Sequence, residues 1–422
     1  MENFDLFISS LTKLVAFESV KNLTDGVAPF GKDVKNALRF VLDLAKSFGF
    51  DTVNYDDYFG EIIVGEGEEI GIIGHVDVVP AGDGWDSHPF TLTKKGDLFY
   101  GRGVMDDKGP LLLALFAIKA LIDDGVKFNK KIRFFVGTDE ECGWEDVAYF
   151  KTKSHFPVYG FSPDGNFPVS YAEKGILRIT FKIPPLKNFY DIKGGTVINA
   201  VCGLASARVR NGIVNDALAR ELGLKVDGDK LISVGKSCHG SHPEQGVNAF
   251  KALFKYFERS GEDVAKVNEF VFGDKKGLER LVNEQGTTTL SANLVVENQD
   301  GLEILCDCRV PAPLTEKDVE KVVAGYGLNY EICVKRNSMC CDKNGKFVRT
   351  LLNAYNEVTG EKGEPVSQSG GTFAYVFEKG CAFGPEYENF PSSIHEANEC
   401  VSTALLEKTY AIYKKAIADL VK

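Results

Sequence analysis

The sequence predicts a two-domain α/β protein in which a smaller α/β domain interrupts a larger one. Three observations lead there. At 422 residues the chain exceeds one ordinary domain and can bury two separate cores. Its first part alternates helix-like and strand-like apolar segments, the pattern of a sheet flanked by helices. The texture changes near residue 174 and returns to the opening architecture toward the end of the chain. The expected boundaries are 1–175 with 338–422 for the larger domain and 176–337 for the insert.

Residues 4–17 carry apolar side chains at helical intervals, and residues 34–48 repeat the pattern until Gly49 stops it. Residues 69–74 then read as a buried strand, and residues 89–103 hold strand-like pieces around the turn Lys95-Gly96-Asp97. Residues 110–124 are Leu- and Ala-rich and closed by Gly125, which predicts a helix. Residues 131–136 are another apolar strand. In such a strand, helix, strand unit the ligand site lies beyond the carboxyl ends of the strands.

Beyond residue 174, residues 176–183 alternate as a strand, and helices are expected near 199–211 and 246–260. Residues 302–310 alternate so that Ile304, Cys306, Cys308 and Val310 share one face, with Asp307 and Arg309 on the other. Residues 402–421 form the predicted final helix. No low-complexity linker or short-period repeat separates these regions.

Composition excludes several classes. A formal net charge of −11 disfavours nucleic acid or an anionic membrane as the main partner. The first residues lack the basic region and continuous apolar core of a signal peptide, and no run approaches the length of a membrane span. The ten cysteines are therefore expected as reduced thiols in a cytosolic protein. Cys306 with Cys308, and Cys340 with Cys341, lack a second pair at zinc-site spacing and read as packing thiols.

The chemistry-bearing residues fall where apolar runs end. His75 and Asp77 follow the strand at 69–74. Asp106 stands in Gly101-Arg102-Gly103-Val104-Met105-Asp106-Asp107-Lys108-Gly109, and Glu140-Glu141 follow the strand at 131–136. Asp164 lies in Ser162-Pro163-Asp164-Gly165, and His395 lies near the C-terminus. Only six histidines occur in the chain, and two of them sit beside acidic groups at these points. Singly, each is weak: a His-x-Asp is commonly a structural hydrogen-bonded pair, and Glu-Glu a solvated turn. Together they supply imidazoles and carboxylates for two divalent metals, plus a spare carboxylate to move a proton. Asp77, two residues beyond His75, faces the same side of an extended segment and can orient the imidazole. On an extended backbone only one of Glu140 and Glu141 faces the metals, so ligand and proton shuttle can be adjacent.

These segments, with Gly137-Thr138-Asp139-Glu140-Glu141-Cys142-Gly143-Trp144, Tyr171-Ala172-Glu173-Lys174-Gly175 and Ile394-His395-Glu396-Ala397-Asn398-Glu399, resemble the aminoacylase and carnosinase family of zinc metallopeptidases. Within it they are most similar to PepV-type bacterial dipeptidases, over essentially the whole chain. The resemblance implies a zinc-exopeptidase-type catalytic domain, a central mixed sheet flanked by helices, interrupted by an α/β lid. It also implies two divalent ions: zinc, with manganese or cobalt as alternatives. Asp106 would bridge them, His75 and Asp164 completing one site and Glu141 and His395 the other. Asp77 would be the orienting acid and Glu140 the general base.

From the insert, the same resemblance implies His239 as the oxyanion-stabilising group, Asn199 as a substrate contact and Arg309 as a clamp for the substrate carboxylate. His88, His155 and His242 fall outside these patterns. Tyr375 stands where the related Gly-Gly-Thr segment often carries arginine, so side-chain preference does not transfer. The expectation is a cytosolic metal-dependent dipeptidase acting on short peptides, a monomer that completes its own site, with a homodimer as the alternative. A deacylase of N-acyl amino acids shares the metal chemistry. A non-catalytic metal- or ligand-binding protein would need neither Asp77 nor Glu140.

Overall fold

The apolar run ending at His75 forms the strand Glu69–His75, buried in all but its first residue, in the middle of a mixed sheet. The computed structural model describes residues 1–24, 26, 28–273, 277–390 and 393–422. Six strands of the sheet run in the order Asp51–Tyr55, Phe59–Val64, Lys131–Gly137, Glu69–His75, Tyr159–Ser162 and Lys379–Ala382. The last four are parallel, while the first two each run antiparallel to the next. Parallel strands covered on both faces read as continuous apolar runs rather than as alternation.

The helices cover this sheet. Lys108–Asp123 is buried from Lys108 through Ile118, which is why its sequence shows no polar stripe. It packs against Phe4–Val15 and Thr403–Leu420, and the latter also packs against Lys346–Thr359. Lys32–Ser47 and Glu145–Lys151 pack against the antiparallel strands. Phe59, Phe135, Phe150, Phe373 and Phe377 form an aromatic core cluster. A Cβ on Gly137 would lie 2.2 Å from the Phe373 ring, so glycine is what lets that ring lie against the strand. The fold is α/β, with a central mixed sheet flanked by helices, as the sequence predicts.

The chain divides into two compact units, Met1–Tyr171 with Cys340–Lys422, and Ala172–Met339. In the larger unit the Cys341 N–H donates to the Tyr171 carbonyl at 2.7 Å, joining the chain where it leaves and where it returns. The second unit holds two four-stranded antiparallel sheets. One runs Thr289–Asn298, Gly301–Val310, Gly175–Ile183, Asn329–Arg336, and the other Phe189–Gly194, Leu204–Val209, Lys230–Val234, Lys225–Asp227. Its own core includes Phe181, Phe189, Leu231, Phe250, Phe254 and Ile304.

One expected element is wrong. Residues 199–211 hold the strand Leu204–Val209 instead of a helix, while the helix expected at 246–260 is present as Phe250–Arg259. Ala205, Ala207 and Val209 are buried and Leu204, Ser206 and Arg208 are not. That is a period of two, hidden because alanine and arginine also favour helices.

Candidate metal centre

His75 and Gly137 are register partners at the ends of two adjacent parallel strands, so the segments that follow them leave from one rim. His75 is buried, and its Nδ1 donates to the Asp77 carbonyl at 3.0 Å. A carbonyl can only accept, so this contact directs Nε2 to the opposite side. There it meets Asp106 Oδ1 at 3.1 Å and Asp164 Oδ2 at 3.7 Å. The Asp77 carboxylate stands 3.5 Å from Nδ1, too long for a hydrogen bond, and its other oxygen accepts the Glu141 N–H at 3.1 Å.

Asp106 is the meeting point. While Oδ1 faces His75, Oδ2 lies 2.9 Å from His395 Nε2, which also lies 3.1 Å from Glu141 Oε1. His395 is half-exposed and adopts a left-handed backbone with φ 64°, unusual outside glycine. The next residue, Asp107, is fully buried and accepts the His75 N–H at 3.1 Å. A Cβ on Gly74 would lie 2.3 Å from that carboxylate oxygen, so this glycine makes room for it. Beneath Asp164, Ser162 Oγ donates to the Ile73 carbonyl at 2.8 Å and the Tyr413 hydroxyl to the Pro163 carbonyl at 3.3 Å.

Residues 140–143 form a turn, so the alternation expected of an extended segment does not apply. Both acids reach the cluster: Glu140 shares a group with His75 and Asp164, and Glu141 with Asp106 and His395. Within each group, ligand-type atoms lie within 4.8 Å of one another. The turn is pinned from outside. Lys21 Nζ donates to buried Asp139 at 2.9 Å, Asp146 accepts the Thr138 N–H at 2.7 Å, and the Trp144 indole donates to the Glu140 carbonyl at 2.8 Å.

Electrostatically the cluster is crowded with acid. Burial, then the neighbouring carboxylates Asp164, Glu141 and Asp106, hold the Glu140 carboxyl well above its ordinary range. Burial and Asp106 push Glu141 up to about 7. Burial alone would lower the two imidazoles, but their acidic neighbours prevail; His395 is pushed up to about 11 and His75 well above its usual value. Two imidazoles and four carboxyl groups around one focus fit divalent cations of the nitrogen- and oxygen-binding kind.

The candidates from the insert lie in the second unit. The Ser241 N–H donates to His239 Nδ1 at 3.2 Å, which places the neutral ring's proton on Nε2. Asn199 is exposed, and its carbonyl accepts the Gly240 N–H at 2.6 Å. Arg309 is buried and its guanidinium pairs with Asp307 through two contacts of 3.0 Å. Sequence reasoning gave no role to Asp107, Lys21 or Glu399, which grip backbone or buried acids instead of facing the cluster. Asp107 and Glu399 stand beside the metal-type residues in the sequence, Asp107 next to Asp106 and Glu399 four positions after His395, and that proximity was their only signal.

The sequence profile of peptidase family M20/M25/M40 matches residues 71–419. A Staphylococcus haemolyticus protein provisionally named a dipeptidase is 31% identical, with 98% of this chain and 96% of that protein aligned. Among solved structures, the dipeptidase Dug1p of Saccharomyces cerevisiae shares the fold with a TM-score of 0.61 at 18% identity, covering 99% of this chain and 96% of that one. An M20-family metallo-carboxypeptidase of Sulfolobus solfataricus gives a TM-score of 0.62 at 16% identity, covering 98% of each chain. A profile that covers most of the chain and every acid and imidazole of the cluster places the chain unambiguously: it belongs to peptidase family M20/M25/M40.

Proposed function

We propose that the chain is a metal-dependent dipeptidase that hydrolyses the peptide bond of short peptides. The observation that carries this reading is Asp106, whose two oxygens face two different histidines, each within its own group of acids. In this reading Asp106 would be shared between two divalent ions, one of which His75 and Asp164 would hold, and the other Glu141 and His395. Zinc suits the donor set, and manganese or cobalt are the alternatives. When bound, such ions polarise a scissile carbonyl and lower the pKa of water.

The chain's own groups supply the rest. Glu140 takes the proton of the attacking water and returns it to the departing amine, so that water adds across the C–N bond to give an acid and an amine. The Asp77 backbone carbonyl keeps the His75 ring in place, and its carboxylate holds the Glu141 N–H instead of the ring. His239, protonated on Nε2, is assigned to the developing oxyanion, Asn199 to the substrate and Arg309 to its carboxylate. Among the described residues no helix is long and apolar enough to cross a membrane, and we place the enzyme in the cytosol as a monomer.

A hydrolysis screen with zinc, manganese or cobalt supplied tests this reading. Turnover of dipeptides well above that of tripeptides and N-acyl amino acids is the expected result. Preference for acyl amino acids would make it a deacylase instead, and no turnover of any substrate by a chain carrying two ions would favour a binding role.

A further inference from the structure

Residues 101–107 carry Asp106 but form no helix or strand, so something outside them must set their shape. Glu399 does so. Its carboxylate is fully buried, and its two oxygens collect four donors from this one segment. Oε1 accepts the N–H groups of Met105 at 2.8 Å and Asp106 at 3.2 Å, and Oε2 accepts the Gly103 N–H at 3.0 Å and Arg102 Nη1 at 2.9 Å. The Glu399 backbone carbonyl adds the Gly101 N–H at 3.0 Å. Arg102 in turn reaches the carbonyls of Pro80 and Ala81 at 3.4 and 3.3 Å and stands 5.3 Å from the Trp85 ring.

Glu399 also lies four residues after His395. One short segment therefore delivers an imidazole to one oxygen of Asp106 and a carboxylate to the backbone that carries Asp106. A buried ion pair is a poor source of stability, because desolvation offsets most of its attraction. Four donors converging on one carboxylate do fix geometry. We propose that Glu399 is a positioning residue of the metal centre, holding Asp106 where its two oxygens face His75 and His395 at once. This rests on the reading of that cluster as a two-metal site.

The test uses the full chain, metal-free, titrated with Co²⁺ and followed by visible absorption, elemental analysis and thermal denaturation. Glu399→Gln turns one acceptor into a donor that faces other donors. It is expected to bind cobalt about 10–100-fold more weakly, with a changed absorption spectrum at saturation. A double variant, Arg102→Met with Glu399→Met, removes the buried charges together, which proteins often tolerate. It leaves the Gly103, Met105 and Asp106 N–H groups without that acceptor and is expected to melt below the wild type; titrated well below its own melting transition it should show the same loss of affinity, separating positioning from mere stabilisation, and it carries the test if Glu399→Gln fails to fold. Two cobalt ions bound with wild-type affinity and spectrum by either variant would overturn the proposal alone. A wild-type chain that takes up no cobalt would overturn the two-metal reading and the proposal with it.

Discussion

Glutamine in place of Glu140 separates two jobs that the geometry allows this residue. Its carboxylate belongs to the same group of ligand-type atoms as His75 and Asp164, so it stands where either a ligand or a proton acceptor is needed. Glutamine keeps the length and one carbonyl oxygen but has no site for a proton. If Glu140 is the base, both ions stay and the loss falls on the chemical step. General-base catalysis contributes about 10²–10⁴-fold, which at about 1.36 kcal/mol per tenfold is roughly 2.7–5.4 kcal/mol of barrier. The assay pairs metal content after zinc loading with kcat for a saturating dipeptide. Two ions with kcat reduced about 10²–10⁴-fold is the expected outcome. Two ions with kcat within tenfold of wild type would place the base elsewhere, and one ion would make Glu140 a ligand.

Asp106→Ala is expected to lose both ions together, whereas His395→Ala weakens mainly one; elemental analysis under graded chelator decides, and two retained ions in Asp106→Ala would move the bridge elsewhere. Gly74→Ala puts a methyl 2.3 Å from the Asp107 carboxylate, an overpacking that should cost about 1–3 kcal/mol, read from the urea midpoint; an unchanged midpoint would mean that Asp107 moves freely. His239→Ala mixed with Glu140→Gln should stay inactive if each chain completes its own site. Recovered activity together with a dimer by sedimentation would assign His239 to a neighbour's site.

Much of this centre is legible in the sequence because its residues mark the ends of apolar strands. Residues 69–74 and 131–136 announce themselves by continuous apolar character, and parallel pairing then brings His75 and the Glu140-Glu141 turn to one rim. What is not legible has a common physical cause. The turn at 140–143 is held by local bonds from Asp139 and Asp146 and by Lys21, 118 positions before Asp139, so its departure from extended geometry depends on side-chain contacts that hydrophobic periodicity does not encode. Glu399 acts through backbone N–H groups nearly three hundred positions away, and a hydrogen bond to a peptide group leaves no complementary side chain to notice. The strand Leu204–Val209 was missed for a different reason. Alanine at its buried positions satisfies a helix as well as a sheet, and pairing with Phe189–Gly194 and Lys230–Val234 selects the latter.

The hydrogen bond between Cys341 and Tyr171 bears on the history open to this chain. Two chain segments that meet at 2.7 Å form a doorway of fixed width, whatever passes through it. Closing a flexible excursion from such a doorway costs entropy only as the logarithm of its length, about 0.6 kcal/mol for each doubling. Segments inside the insert can therefore lengthen, shorten or be exchanged with little penalty to the sheet that holds His75 and Asp106, provided the new piece folds on its own core. Variation in size among relatives should gather between these two residues, and the rim of the larger unit should keep its shape.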